Sequence, residues 1–247
     1  MQVNRINKNE AAALLRKGAA RSGLHDYAGA IEDYTAAIAL APTEGLNYQM
    51  RGVSFKNLGD LQSAISDFSD AVRLNPDDLR SFKYRGLLHT QLSDHRAAIE
   101  NWSEVIRLAP NESSGYTLRA MARSELREFH EAIVDFTQAV RLEPSAKTFK
   151  NRASCRSEMG DFSRARADLE EAYDLDPTDS DVLGAIFEIT EREEQQEDEE
   201  FWNTYRESLS ELKKETQQEL DALKRVPVQI SKKGFIQNLS AFFKLSH

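Results

Sequence analysis

Proline recurs at residues 42, 76, 110, 144 and 177, at intervals of 34, 34, 34 and 33, and this spacing constrains the fold of the 247-residue chain more than any other feature. Proline lacks a backbone N–H and clashes with the preceding turn, so each of these residues blocks continuation of a helix. A fixed period of this length marks a repeated supersecondary unit. Counting back from the prolines gives five blocks, residues 11–44, 45–78, 79–112, 113–145 and 146–179. Residues 1–10 form an N-terminal lead-in, residues 180–225 a helical extension and residues 226–247 a tail.

Inside each block the apolar residues fall at helical spacing in two stretches, as with Ala64, Ile65, Phe68, Ala71 and Val72, so each block is expected to be a pair of helices. The stretches are parted by Gly59-Asp60 or Gly160-Asp161, or by the variants His25-Asp26, Ser93-Asp94 and Arg127-Glu128. Glycine ends a helix with positive φ and aspartate caps the next one. Glutamate caps poorly, so the fourth turn is expected to be the loosest.

Gly18, Gly52, Gly86, Ala120 and Ala153 stand at position 8 of the blocks, and Ala30, Ala64, Ala98, Ala132 and Ala165 at position 20. These small residues allow close helix approach. Position 24 holds a large plug, Tyr34, Phe68, Trp102, Phe136 or Leu169. The pattern resembles the tetratricopeptide repeat family, with Leu169 and Val105 as mild departures. The resemblance implies an all-α fold, a right-handed α-solenoid of five helix-turn-helix repeats with a capping helix and a C-terminal helical extension. It also implies a protein-protein adaptor that binds a peptide or a helix in a concave groove lined by the first helices.

Composition narrows the alternatives. No uncharged run exceeds ten residues, too short for a membrane-spanning helix. The N-terminal residues show no apolar secretory core, which gives the expectation of a cytoplasmic protein. One cysteine and five scattered histidines supply no metal-ligand spacing, and no cofactor or metal is expected. The formal charge of −9 argues against nucleic acid as a partner. No nucleophile motif, phosphate loop or acid-base pair appears, so the chain is expected not to be an enzyme. Cys155 reads as a small packing residue.

Position 7 is Lys17, Arg51, Arg85, Arg119 or Arg152, and position 23 is Asp33, Asp67, Asn101, Asp135 or Asp168. The favoured expectation is that they pin the first helix of a block to a second helix, with Arg51 on Asp67; the alternative is a row of ligand-binding arginines. The family's geometry places Gln49, Lys56, Asn57, Arg80, Lys83, Gln91, Lys147 and Lys150 on the concave face as candidate peptide-binding residues. Lys56, Arg80 and Lys83 would meet an acidic group, with the amides bonding its backbone; the competing interpretation is a solvated surface. The carboxylate clamp of the chaperone-binding branch is missing, since Leu15, Ala19 and Met50 occupy its positions.

After Pro177, residues 180–187 continue the apolar pattern as a capping helix. Residues 191–200 carry no apolar stripe and read as a solvated helix or a linker. Residues 201–223, with Trp202, Tyr205, Leu209, Leu212, Leu220 and Leu223, would fold back on the repeats or self-associate as a short coiled coil. Residues 180–225 hold fourteen acids and six bases, whereas the tail holds three lysines and no acid. Phe235, Ile236, Leu239, Phe242 and Phe243 share one helical face of the tail. They would dock on the chain itself, on a partner protein or on a membrane surface. The function expected is a scaffold, with a membrane-peripheral or oligomeric structural component as the alternative.

Overall fold

The alternation of small and large residues dictates where each helix must lie. In the computed structural model, residues 2–215 are described, with side chains for residues 8–208. The expectations on Leu209, Leu212, Leu220, Leu223, Phe235, Ile236, Leu239, Phe242 and Phe243 fall outside the described side chains. The described residues form eleven helices: α1 Gln2–Gly23, α2 Tyr27–Leu40, α3 Gly45–Leu58, α4 Leu61–Leu74, α5 Leu79–Gln91, α6 His95–Leu108, α7 Ser113–Glu125, α8 Phe129–Leu142, α9 Ala146–Glu158, α10 Phe162–Leu175 and α11 Ser180–Glu215. The chain divides into two compact units, the first ending at Met159 and the second beginning at Gly160.

The first unit is an α-solenoid in which each helix from α1 to α9 packs on the next. The lead-in expected at residues 1–10 is helical from Gln2 and continuous with α1. Its cores bridge neighbouring pairs: Phe68 of α4 packs with Leu88 of α5, and Trp102 of α6 with Val72 of α4 and Ala122 of α7. The first pair has a core of its own, Ala11 and Leu14 of α1 with Ala37, Leu40 and Ala41, whereas the later cores are completed by a neighbouring pair, so stability there rests on neighbour-to-neighbour interfaces.

Close approach sets the size of position 8. A methyl group on Gly86 would lie 2.8 Å from Trp102, and one on Gly18 would lie 2.6 Å from Tyr34, both shorter than any stable contact. A methyl group on Gly52 would lie 3.2 Å from Phe68, and the block with Phe136 carries Ala120. Tyr34 and Trp102 thus leave less room at position 8 than Phe68 does.

Each turn within a pair has one geometry whatever its sequence. His25, Ser93 and Arg127 adopt φ of 63°, 57° and 61° in the positions held elsewhere by Gly59 and Gly160. The following N–H groups, from Asp26, Asp60, Asp94 and Glu128, bond back to the carbonyls of Arg21, Phe55, His89 and Arg123, which satisfies the helix ends. The fourth turn keeps this backbone bond at 2.9 Å, so it is not looser there. What it lacks is the side-chain cap: Asp26, Asp60, Asp94 and Asp161 each accept from a backbone N–H, and Glu128 does not. Glu128→Asp is therefore expected to stabilise the chain by about 0.5–1 kcal/mol, read as a rise in the urea midpoint at constant slope. An unchanged midpoint would refute the capping account.

The position 7 cations run between successive second helices. Arg51 grips Asp67 with two bonds of 2.9 and 2.8 Å, and Arg119 grips Asp135 at 2.8 and 2.7 Å. Lys17 reaches Asp33 at 2.8 Å and Arg85 reaches Asn101 at 2.6 Å. The second arm of each arginine donates to a hydroxyl on the preceding second helix. Arg51 reaches Thr35, Arg85 reaches Ser69, Arg119 reaches Ser103 and Arg152 reaches Thr137, at 3.0–3.2 Å. Ser69, Ser103 and Thr137 in turn donate to carbonyls of their own helices, so one group is bonded both ways. Arg85 faces an amide rather than a carboxylate, and its burial lowers its pKa from the ordinary value.

In the second unit α10 packs on α11, with Leu169 and Ala172 of α10 and Val182 and Ile189 of α11 buried. The capping helix and the acidic stretch expected as separate elements are one helix, because nothing between Ser180 and Glu215 stops it. Arg166 reaches Glu193 at 3.0 Å and Glu170 at 2.9 Å, which anchors the start of the acidic stretch.

Candidate functional site

The loops that join successive pairs leave a cleft of about 830 Å³ in the first unit, between the start of α3 and the start of α5. Gly45 lets the start of α3 pack closely on the end of α4 at the edge of this cleft, since a methyl group there would lie 3.3 Å from the Ala71 carbonyl oxygen. The walls include Leu46 and Leu79, and Gln49, Asp78, Arg80 and Lys83 supply the polar groups.

Gln49 corrects an expectation. Its side chain is buried rather than offered to a ligand, and its amide nitrogen donates to Asp78 at 2.7 and 2.9 Å and to Ser81 at 3.2 Å. Asp78 also accepts from the Ser81 backbone N–H and hydroxyl as the N-cap of α5. The amide thus ties α3 to the first turn of α5. One repeat later Lys83 stands in the same register and donates to Glu112 at 2.6 Å, at the N-cap of α7. The Lys83 ammonium, together with the Ser114 hydroxyl, holds the Glu112 carboxyl below its ordinary pKa. Glu112 is therefore ionised at neutral pH and neutralises Lys83, which corrects the picture of three open cations.

Arg80 is exposed and has no ion-pair partner among the described residues. It lines the same cleft as Leu46, an exposed leucine. Lys56 and Asn57 lie at the other end of α3, about 10 Å away along the helix axis, and Gln91 at the corresponding end of α5. The Lys56 ammonium sits 5.3 Å from the centre of the Tyr84 ring, which itself stacks on Phe68 at 5.1 Å. The cluster expected from Lys56, Arg80 and Lys83 is thus split: Arg80 and Lys83 share the cleft, and Lys56 caps an aromatic pair outside it. Asn57, Gln91 and Lys147 are exposed on the helix surfaces, and Lys150 is half-buried and already partnered.

Sequence reasoning missed Asp78 and Glu112 as the partners of position 5, and Leu46 as the apolar wall. The available signal was the recurrence of a donor 29 residues before an acid, Gln49 before Asp78 and Lys83 before Glu112. Cys155 is buried against the Ser124 hydroxyl at 3.4 Å, and burial raises its thiol pKa, consistent with a packing residue. Among the described residues no group of three His, Cys, Asp or Glu side chains is placed to hold a metal ion, and no helix is long and apolar enough to cross a membrane.

Comparison with known proteins follows the same lines. Family models described as tetratricopeptide repeat match residues 50–113 and, separately, residues 113–145 and 147–179, together just over half of the chain. No curated protein sequence matches. Among solved structures, YrrB, described as a TPR protein with an unusual peptide-binding site, is similar with a TM-score of 0.66 at 19% identity, covering 73% of this chain and 94% of its own. A crystal structure of MamA gives 0.64 at 16% identity, covering 70% and 94%. MamA from Desulfovibrio magneticus, residue 41 to the end, gives 0.57 at 18% identity, covering 73% and 98%. At these identities the likeness is one of fold.

Proposed function

The chain belongs to the tetratricopeptide repeat family, a family of protein-interaction scaffolds, and from that premise we propose that it is a non-enzymatic adaptor whose cleft between α3 and α5 holds a peptide segment of a partner. The observation that carries this reading is Arg80, an exposed guanidinium without an ion-pair partner among the described residues, which lines one cleft with the exposed Leu46 and with a lining fixed by the Gln49–Asp78 bond. A lining whose polar groups already bond one another does not need to reorganise when a ligand arrives, which lowers the cost of binding. Arg80 would grip a carboxylate bidentately and Leu46 would cover an apolar side chain next to it. The ligand chemistry is thus an acidic residue adjoining a large apolar one.

A displayed library of random peptides, selected on the full chain, tests this. Enriched sequences are expected to pair Asp or Glu with Leu, Ile or Phe. They are expected to lose at least about tenfold in affinity on Arg80→Glu and to be unaffected by Lys147→Glu on α9. Equal affinity for the parent chain and Arg80→Glu would refute the cleft as the site.

A further inference from the structure

Carried past Pro177, the repeat register meets Phe187 where the five blocks place glycine or alanine at position 8. That position is where a second helix approaches its partner most closely, at distances a single methyl group already violates beside Trp102 and Tyr34. The two positions that hold the helix-pair turn fall on Glu194 and Gln195, with neither a glycine nor an aspartate. Accordingly α11 runs on as one helix to Glu215, with no break at the register of the helix-pair turn, and among the described residues no paired second helix follows it. Its buried side, Val182 and Ile189, is spent on α10, whereas Leu183 and Phe187 remain 50% and 65% exposed. These two residues are one turn apart on one face. The same face continues into the exposed carboxylates of Glu191 and Glu194.

The face therefore presents two large apolar groups followed by two acids. A second copy of α11 fits it poorly, because residues 180–225 carry fourteen acids against six bases and two such helices repel. Residues 226–247, outside the described residues, have the complementary chemistry: Lys232 and Lys233, no acid, then Phe235, Ile236, Leu239, Phe242 and Phe243 at helical spacing. They can also reach it. Phe187 lies about 42 Å back along the helix from Glu215 at ~1.5 Å per residue, and residues 216–234 span up to about 60 Å when extended. A chain returning in this way runs antiparallel to α11, which brings Lys232 and Lys233 beside Glu194 and Glu191 before the aromatic residues reach Phe187 and Leu183.

From these observations we infer that the tail segment 235–243 docks in cis on the Leu183–Phe187 face of α11, where it takes the place that the second helix of a sixth pair would hold. The large position 8 residue becomes the anchor of that contact rather than an obstacle to it. The inference is independent of the cleft between α3 and α5.

Limited chymotrypsin digestion of the full chain, with cleavage after Phe235, Phe242 and Phe243 followed by mass spectrometry, tests it. Phe187→Glu is suited to the test because its side chain is mostly exposed, so α10–α11 packing and far-ultraviolet circular dichroism should not change. Tail cleavage is expected to be at least about tenfold faster in Phe187→Glu than in the parent chain. Lys232→Glu with Lys233→Glu should accelerate it about threefold, as expected for exposed charge pairs. Equal rates in the parent and Phe187→Glu overturn the inference: equally fast means an undocked tail, and equally slow means a tail held elsewhere. Protection that grows with protein concentration, together with a dimer mass in sedimentation, overturns it in favour of a second copy.

Discussion

Trp102→Ala is expected to cost about 3–5 kcal/mol and to break the cooperativity of unfolding. Trp102 is 1% exposed and lies in a core that joins Val72 of α4, Phe82 of α5 and Ala122 of α7, so one side chain serves three successive helix pairs. Emptying its site removes contacts from both neighbouring interfaces, and in a solenoid those interfaces are what couple the repeats. Urea unfolding followed by circular dichroism should therefore split into two transitions rather than shift as one. Amide exchange should rise in α5 and α6 ahead of α1 and α2. Trp102→Phe provides the contrast. It shrinks the plug to the size found at Phe68 and Phe136, relieves the tight fit against Gly86, and removes an indole N–H that has no hydrogen-bond acceptor among the described residues. Its cost is expected to stay below about 1.5 kcal/mol. A loss under 1 kcal/mol for Trp102→Ala, with a single transition, would show that the pairs are held by something other than this core.

The helices were legible because their causes are local. The five prolines, the aspartates that open second helices and the small residues at positions 8 and 20 each act within a few residues of themselves, and the structure puts turns and close contacts where they predict. The pairing of Arg51 with Asp67 was legible for the same reason, since both belong to one block. The cleft was not, because its polar groups are settled across a block boundary. Gln49 has the composition of a ligand-binding amide, and only the position of the next first helix shows that Asp78 and Ser81 consume its donors. Lys83 is silenced by Glu112 in the same way. The hydroxyls of Thr35, Ser69, Ser103 and Thr137 escaped notice because serine and threonine on a helix usually bond their own backbone, and here they also accept from the neighbouring arginines. The continuity of α11 follows from an absence of stop signals, which is harder to read than a proline.

Arg51→Met and Arg119→Met remove the same residue type from the same position in two repeats, and are expected to differ in cost. The Asp67 side chain is 4% exposed, and Arg51 is its ion-pair partner among the described residues. Burial already pushes the Asp67 carboxyl pKa up, and the two Arg51 bonds oppose that rise. Without the guanidinium the carboxylate is left in the interior with no cation, at a cost of about 3 kcal/mol. Asp135 is buried to the same degree but accepts from Arg123 at 2.7 Å as well as from Arg119, because α7 carries an arginine where α3 has Phe55. Losing Arg119 leaves one cation in place and is expected to cost only about 1–2 kcal/mol. The two losses should also differ in their response to pH. In Arg51→Met the folded-state pKa of Asp67 rises further above its unfolded value. The variant is then least penalised below the ordinary aspartate range, where the carboxyl is neutral in both states, and loses stability as pH rises through the raised value. The gap between parent and Arg51→Met in urea unfolding should narrow from pH 7 toward pH 4, while that for Arg119→Met should narrow less, because Asp135 keeps its bond to Arg123. Equal penalties at neutral pH would mean that Arg123 carries no share of the Asp135 charge, and the two-cation account of the fourth repeat would have to be abandoned.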